Sequence, residues 1–195
     1  DGTGNVYVTG WSEGNGTWLD YATIKYQSNG SQKWVARYNG TGGSFDYENS
    51  MVVDDSSNVY ATINSTGGFN GIDFNDMVTV KYSSSGMQQW NQRSLNTLPR
   101  AITVDRLGNV YAVGQELVTG GGYITIKYNA NGQQRWIARY GTAMPRAVTV
   151  DQSGNVYVTG DGGTVKYDVT GDLQWVTWYT GSTLEVGKSG YLYIE

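Results

Sequence analysis

The chain has 195 residues, a formal net charge of -4, 28 Gly, 7 Trp, 16 Tyr, and neither Cys nor His. Without those two residue types, disulfides, thiol chemistry, a Ser-His-Asp triad and a His/Cys zinc site are all excluded. The acidic balance with scattered Lys and Arg leaves no electrostatic footprint for nucleic acid, and no apolar run reaches the roughly 18 residues of a membrane span.

In chain order, the first block is Asp1-Gly-Thr-Gly-Asn-Val-Tyr-Val-Thr-Gly10, followed by Thr23-Ile-Lys-Tyr26 and Trp34. The pattern returns as Asp54 to Ile63 with Thr79-Val-Lys-Tyr82 and Trp90, and as Asp105 to Gly114 with Thr125-Ile-Lys-Tyr128 and Trp136. It returns again as Asp151 to Gly160 with Thr164-Val-Lys-Tyr167 and Trp175, and a worn fifth copy, Gly187 to Glu195, closes the chain. Each Trp stands nine residues after its Lys, whereas the step from the repeated Asn to that Lys is 20, 23, 18 and 11 residues. Fixed spacing marks a rigid hairpin; variable spacing marks a loop.

Each unit predicts four short strands: the run before the Asp (Arg146–Val150 is one), the Asn-Val-Tyr block, the Thr-Ile-Lys-Tyr block and the segment around the Trp. They are rich in β-branched and aromatic residues and bounded by turn residues. Asp-x-x-Gly-Asn suits a hairpin, since Asp accepts from nearby N–H groups while Gly and Asn tolerate positive φ. A repeated four-stranded meander predicts an all-β fold, a β-propeller of about four antiparallel blades. The expected organisation is one propeller over 1–195, with units near 1–38, 49–94, 99–140, 145–179 and a partial 183–195.

The runs Val150 to Gly160, and Thr125 to Trp136 with Gly132, resemble the bacterial β-propeller repeat often called SBBP. The resemblance spans nearly the whole chain. It implies a large secreted or cell-surface protein, often with about seven blades, and brings no catalytic residues with it.

The order of strands begins at the second of a unit and ends at the second of another, and Thr183–Val186 offers a strand one. Three readings follow: a piece of a longer ring, a closed four-bladed ring, or a subunit whose last strand, Tyr191-Leu192-Tyr193-Ile194, pairs with another molecule. The expected partners are therefore another copy, or an extracellular protein or glycan.

A residue present in every unit is read as structural, so the repeated Asp is a turn acceptor and the repeated Lys lays its stem along a blade face with its charge at the rim. The repeated Trp is an inter-blade anchor. The Gly-x-x-x-Trp piece is similar to quinoprotein blades, but the rest of that motif is missing, and no cofactor is expected. Glu13, Asp20, Asp46, Glu48, Asp73 and Asp76 read as solvated loop acids, and no metal site is expected. Trp11 and Trp18 flank a loop outside the repeat plan and are the candidate ligand-binding residues, by stacking on a sugar or a partner. Asn15, Asn29, Asn39 and Asn64 head Asn-x-Ser/Thr sequons. The expected function is a non-enzymatic extracellular structural or adhesive module that self-assembles through incomplete blades. The alternatives are a lectin-like propeller using loop aromatics and, third, a hydrolase on the same scaffold.

Overall fold

A computed structural model describes residues 1–13, 19–40, 45–66, 75–118, 120–187 and 189–195, with the side chains of 45 and 47–49 outside the description. Among the described residues there are seventeen strands and no helix. The chain divides into two compact units, Asp1–Asn96 and Thr97–Glu195.

The first unit holds a three-stranded sheet, β1 (Val6–Glu13), β2 (Leu19–Tyr26) and β3 (Gln32–Tyr38), and a four-stranded sheet, β4 (Phe45–Val53), β5 (Val59–Thr66), β6 (Asn75–Tyr82) and β7 (Gln88–Ser94). The second holds β8 (Thr97–Val104), β9 (Val110–Glu116), β10 (Gly122–Tyr128) and β11 (Gln134–Tyr140), and then β12 (Pro145–Val150), β13 (Val156–Gly160), β14 (Gly163–Tyr167) and β15 (Leu173–Thr177). A two-stranded sheet follows, β16 (Leu184–Val186) with β17 (Leu192–Ile194). Every pairing is antiparallel between chain neighbours, so each sheet is the predicted meander.

The two middle strands of each four-stranded sheet are buried on both faces, which is why they carry no apolar-polar alternation. In the first unit, Tyr21 and Ala36 of one sheet pack with Val59, Ile63, Val78 and Tyr82 of the next. In the second, Tyr111, Val113 and Tyr123 pack with Val156, Val158, Val165 and Tyr167. The outermost strands β7, β11 and β15 are mostly exposed.

The repeated residues form one recurring assembly. In the second unit, Asp151 accepts from the N–H groups of Ser153 and Asn155 at 2.9 Å, from Asn155 Nδ2 at 2.8 Å and from the Tyr157 hydroxyl at 3.0 Å. Asp54 and Asp105 hold their own Asn and Tyr in the same way. The turn needs a positive φ at its fourth residue, met by Gly108 (77°) and Gly154 (82°); Ser57 takes the same place at 63°. The repeated Lys stands opposite the repeated Trp in each of the four larger sheets, at a β-bulge. Its ammonium does not sit free at a rim as expected. It lies over the ring of the Tyr on the neighbouring strand, 4.7, 5.1, 5.2 and 5.3 Å from the centroids in chain order, where the ring's negative face attracts it.

The repeated Trp latches one sheet to the next. Trp34 Nε1 donates to Ser84 O at 3.0 Å, and Trp136 Nε1 to Val169 O at 3.1 Å. Each acceptor belongs to the tight turn between the last two strands of the following sheet, and a glycine of that turn, Gly86 or Gly171, lies flat on the indole.

Candidate functional site

A four-stranded meander puts its first-to-second and third-to-fourth connections at one end and its second-to-third connection at the other. The first end holds the repeated turns, whose polar groups are satisfied by one another. The variable loops lie at the opposite end, and side chains that differ from unit to unit gather there.

An arginine recurs at this end, three residues after the Trp: Arg37, Arg93 and Arg139. Its partner changes each time. Arg37 Nε donates to Ser12 Oγ at 3.2 Å; Arg93 Nε donates to Asp76 Oδ2 at 2.7 Å; Arg139 Nε reaches both oxygens of Glu116, at 3.0 and 3.1 Å. In the fourth sheet the position holds Trp178, which is 84% exposed. A cation that recurs in three sheets and meets a different partner in each marks the end where the repeats differ in chemistry.

In the second unit, Glu116 and Arg139 line an open cleft of about 200 Å³ with Gly121, Gly122, Tyr123, Tyr140 and Gly141. The glycines make backbone its floor: a Cβ on Gly122 would run into the Gly141 carbonyl, so no side chain fits between β10 and β11. Arg139 is about half exposed while Glu116 is largely buried, so the guanidinium is the group that an incoming molecule meets first. The Tyr123 hydroxyl accepts from Gly162 N–H at 2.9 Å and donates to Gly163 O at 3.0 Å, tying this wall to the second-to-third turn of the next sheet. Burial pushes its phenol above the ordinary range, so it stays a donor at neutral pH. Replacing Tyr123 with Phe leaves Gly162 N–H and Gly163 O without that partner, an expected loss of about 1–3 kcal/mol, measured by equilibrium urea unfolding. Next to it, Arg146 holds Asp161 through contacts of 2.6 and 3.1 Å, and the guanidinium keeps that carboxyl below its ordinary range.

The first unit carries acids that the sequence places in loops. Asp20, Asp46 and Asp76 are not solvated loop charges: they sit at strand starts with 4%, 0% and 4% exposure. Gly40 N–H donates to Asp46 Oδ2 at 2.7 Å. Burial raises the Asp46 carboxyl above its ordinary range; hydrogen bonds from Ser65 and Gly40 oppose this, and the nearby Asp20 adds to it. Asp76 is held by Arg93 and by Asn96 N–H at 2.7 Å. These acids brace strand starts and are closed to solvent. Glu13 is exposed, while Asp73 and the Glu48 side chain lie outside the described residues.

Of the aromatics singled out for ligand binding, Trp11 is 56% exposed on β1, and Trp18 lies outside the described residues, as does Asn15. Asn29 and Asn39 are exposed; Asn64 is half-buried in β5, where its Nδ2 donates to Asn75 Oδ1 at 3.1 Å. Leu192 and Ile194 lie within β17 and pair with Val186 and Leu184, while Tyr191 and Tyr193 are exposed. Among the described residues no three acidic side chains converge as a metal site would require. Glu116, Arg139 and Tyr123 were not singled out by sequence reasoning, although the three-residue step from Trp to Arg was there to be read.

No protein-family model matches the chain, and no curated protein matches it. Solved structures do. A protein of unknown function from Bacteroides caccae superposes with a TM-score of 0.61 at 12% identity, over 96% of this chain and 63% of its own. A gluconolactonase from Xanthomonas campestris gives 0.55 at 15% identity, over 90% of this chain and 64% of its own. A luciferin-regenerating enzyme gives 0.55 at 10% identity, over 92% of this chain and 65% of its own. The chain thus spans a little under two thirds of the length of each. The expected non-enzymatic structural or adhesive module is corrected here, because two of these three neighbours on the same architecture bear the names of enzymes. The missing His and Cys do not decide the matter, because Glu116 and Arg139 need neither residue type to form a polar cleft. At these identities the likeness establishes architecture: the chain has the all-β, four-stranded-blade fold of a β-propeller, one that also serves as a scaffold for enzymes.

Proposed function

We propose that the chain belongs to a propeller enzyme of the hydrolase type, acting on a small polar ester or lactone bound at the variable-loop end. The observation that carries this reading is the Glu116–Arg139 pair set in a glycine-floored cleft. At about 200 Å³ the cleft falls below the roughly 300–1,000 Å³ of sites for drug-sized ligands, so its occupant is small. The names of two architectural neighbours, a gluconolactonase and a luciferin-regenerating enzyme, support a small-molecule substrate.

Arg139 suits a substrate carboxylate or the oxyanion that develops during acyl transfer, since its fork of donors matches two oxygens. A substrate that engages Arg139 draws it off Glu116 and frees the carboxylate as a general base. Glu116 then takes a proton from water as the water oxygen bonds to the acyl carbon; the acyl C–O bond breaks, and the proton returns to the departing alkoxide. The test is hydrolysis of a panel of sugar lactones and short aryl esters by the purified chain. Glu116→Gln is expected to lower kcat by about 10²-fold or more, and Arg139→Met to raise KM more than it lowers kcat. Turnover that survives Glu116→Gln, or a panel with no turnover above the uncatalysed rate, overturns the reading.

A further inference from the structure

Both prolines of the chain, Pro99 and Pro145, stand immediately before an arginine, and at both places the first strand of a sheet bulges. The pairing shifts between Pro99 and Ala101 in β8 and between Pro145 and Ala147 in β12, which leaves Arg100 and Arg146 as the extra residues. Proline suits that place because it has no N–H to leave unpaired. Opposite each proline is a glycine, Gly114 or Gly160, where a Cβ would run into the carbonyl of Leu98 or Met144. β8 and β12 lie side by side, so the two arginines stand at matching places on neighbouring strands of two four-stranded sheets.

Each arginine meets the residue that follows the facing glycine, and the two partners differ. Arg146 reaches both oxygens of Asp161, at 2.6 and 3.1 Å. Arg100 meets a neutral amide, through one long contact of 3.3 Å from Nη2 to Gln115 Oε1. Its Nε is buried and has no acceptor. Asp161 is also within electrostatic reach of Arg100: the bonds from Arg146, and then the charges of both arginines, hold its carboxyl below the ordinary range against the opposing effect of desolvation. Two guanidinium groups therefore share one carboxylate, which leaves one positive charge in excess. A half-buried guanidinium with a buried, unpaired N–H is costly until an oxygen completes it. Gln115 and Glu116 are successive residues of β9 and point to opposite faces, so this cluster lies across the strand from the Glu116–Arg139 pair and stands apart from the hydrolase reading.

We propose that Arg100 and Arg146 form an anion site that takes the carboxylate of a small organic acid. Arg100 supplies the donors that its own sheet leaves unused, Nε among them, and Arg146 supplies those not spent on Asp161. A carboxylate fits for two reasons. Its two oxygens in one plane match the guanidinium fork, and its single charge cancels the single charge in excess. A dianion such as phosphate would bring a second negative charge beside Asp161. Asp161 acts as the competitor that holds Arg146 in place while the site is empty of ligand, as Gln115 does more weakly for Arg100.

The test uses the full chain, with sodium acetate as the probe and sodium chloride and inorganic phosphate as comparisons at equal ionic strength. The Nε–H signals of Arg100 and Arg146 are followed by NMR and assigned by their loss in Arg100→Gln and Arg146→Gln. The expected result is a saturable shift of both signals with acetate and none with chloride. Each single variant, read at the surviving arginine, should weaken acetate binding at least tenfold, while Arg135→Gln on β11 should leave it unchanged. Asp161→Asn removes the competing carboxylate and should tighten binding at least threefold, a change of opposite sign that a loss of folding cannot produce. No saturable shift with acetate overturns the proposal, and so does a shift that survives both arginine variants or that Asp161→Asn weakens. Phosphate binding more tightly than acetate would make the ligand a dianion and overturn the carboxylate assignment.

Discussion

Gly86→Ala is expected to destabilise the first unit by about 2–4 kcal/mol, while Gly30→Ala should cost only about 1–2 kcal/mol. The two glycines are a matched pair: each closes the turn between the last two strands of its sheet, with φ of 85° and 83°. The left-handed conformation penalises Ala at both sites. Around Gly30 there is nothing within 4 Å of an added Cβ, whereas at Gly86 it would lie 2.8 and 2.9 Å from two ring carbons of Trp34. That ring cannot slide away cheaply, because its Nε1 is bonded to Ser84 O in the same turn and its edge rests on Tyr7 at 6.1 Å. Urea midpoints for the two variants measure the difference directly. Equal losses would mean that the latch adds nothing beyond the backbone strain.

That comparison also shows what was legible in the sequence. Four meanders, the four turn acids and the rigid Lys-to-Trp hairpin all follow from residue recurrence, because each blade solves one local problem with one set of side chains. What recurrence hides is the neighbour across the sheet. The Lys looks like a rim charge until the strand register sets it over a Tyr ring. Asp46 and Asp76 read as loop acids because their partners, Gly40 and Arg93, come from other elements. The cleft of Glu116 is built from two strand ends and a glycine floor, and only Arg139, held at its fixed step from Trp136, had a signature in the chain.

Asp151→Ala is expected to lower stability by about 3 kcal/mol at neutral pH, and the loss should fade in acid. Burial pushes the Asp151 carboxyl up, but the bonds from Asn155 Nδ2, Asn155 N–H, the Tyr157 hydroxyl and Ser153 N–H outweigh it, so the folded-state carboxyl titrates below its ordinary range. Hydrogen bonds to a charged acceptor are worth about 1.5–3 kcal/mol each and are not additive when shared by one group, which limits the total to about the value given. The sign follows from linkage: with the folded value depressed, the contribution is fully present above the unfolded value of about 3.9 and is lost as pH falls through the folded one. Wild type and variant should therefore differ in urea midpoint by a constant amount from pH 7 down to about 5, and the gap should narrow as pH falls further, through the folded-state value. Asp151→Asn separates charge from shape. It keeps an oxygen for the backbone donors of Ser153 and Asn155 but turns an amide toward Asn155 Nδ2 and the Tyr157 hydroxyl, so it should lose about half as much at pH 7. A gap between wild type and Asp151→Ala that stays the same from pH 7 to pH 2.5 would place the stabilisation in the shape of the turn and not in the charge on its acid.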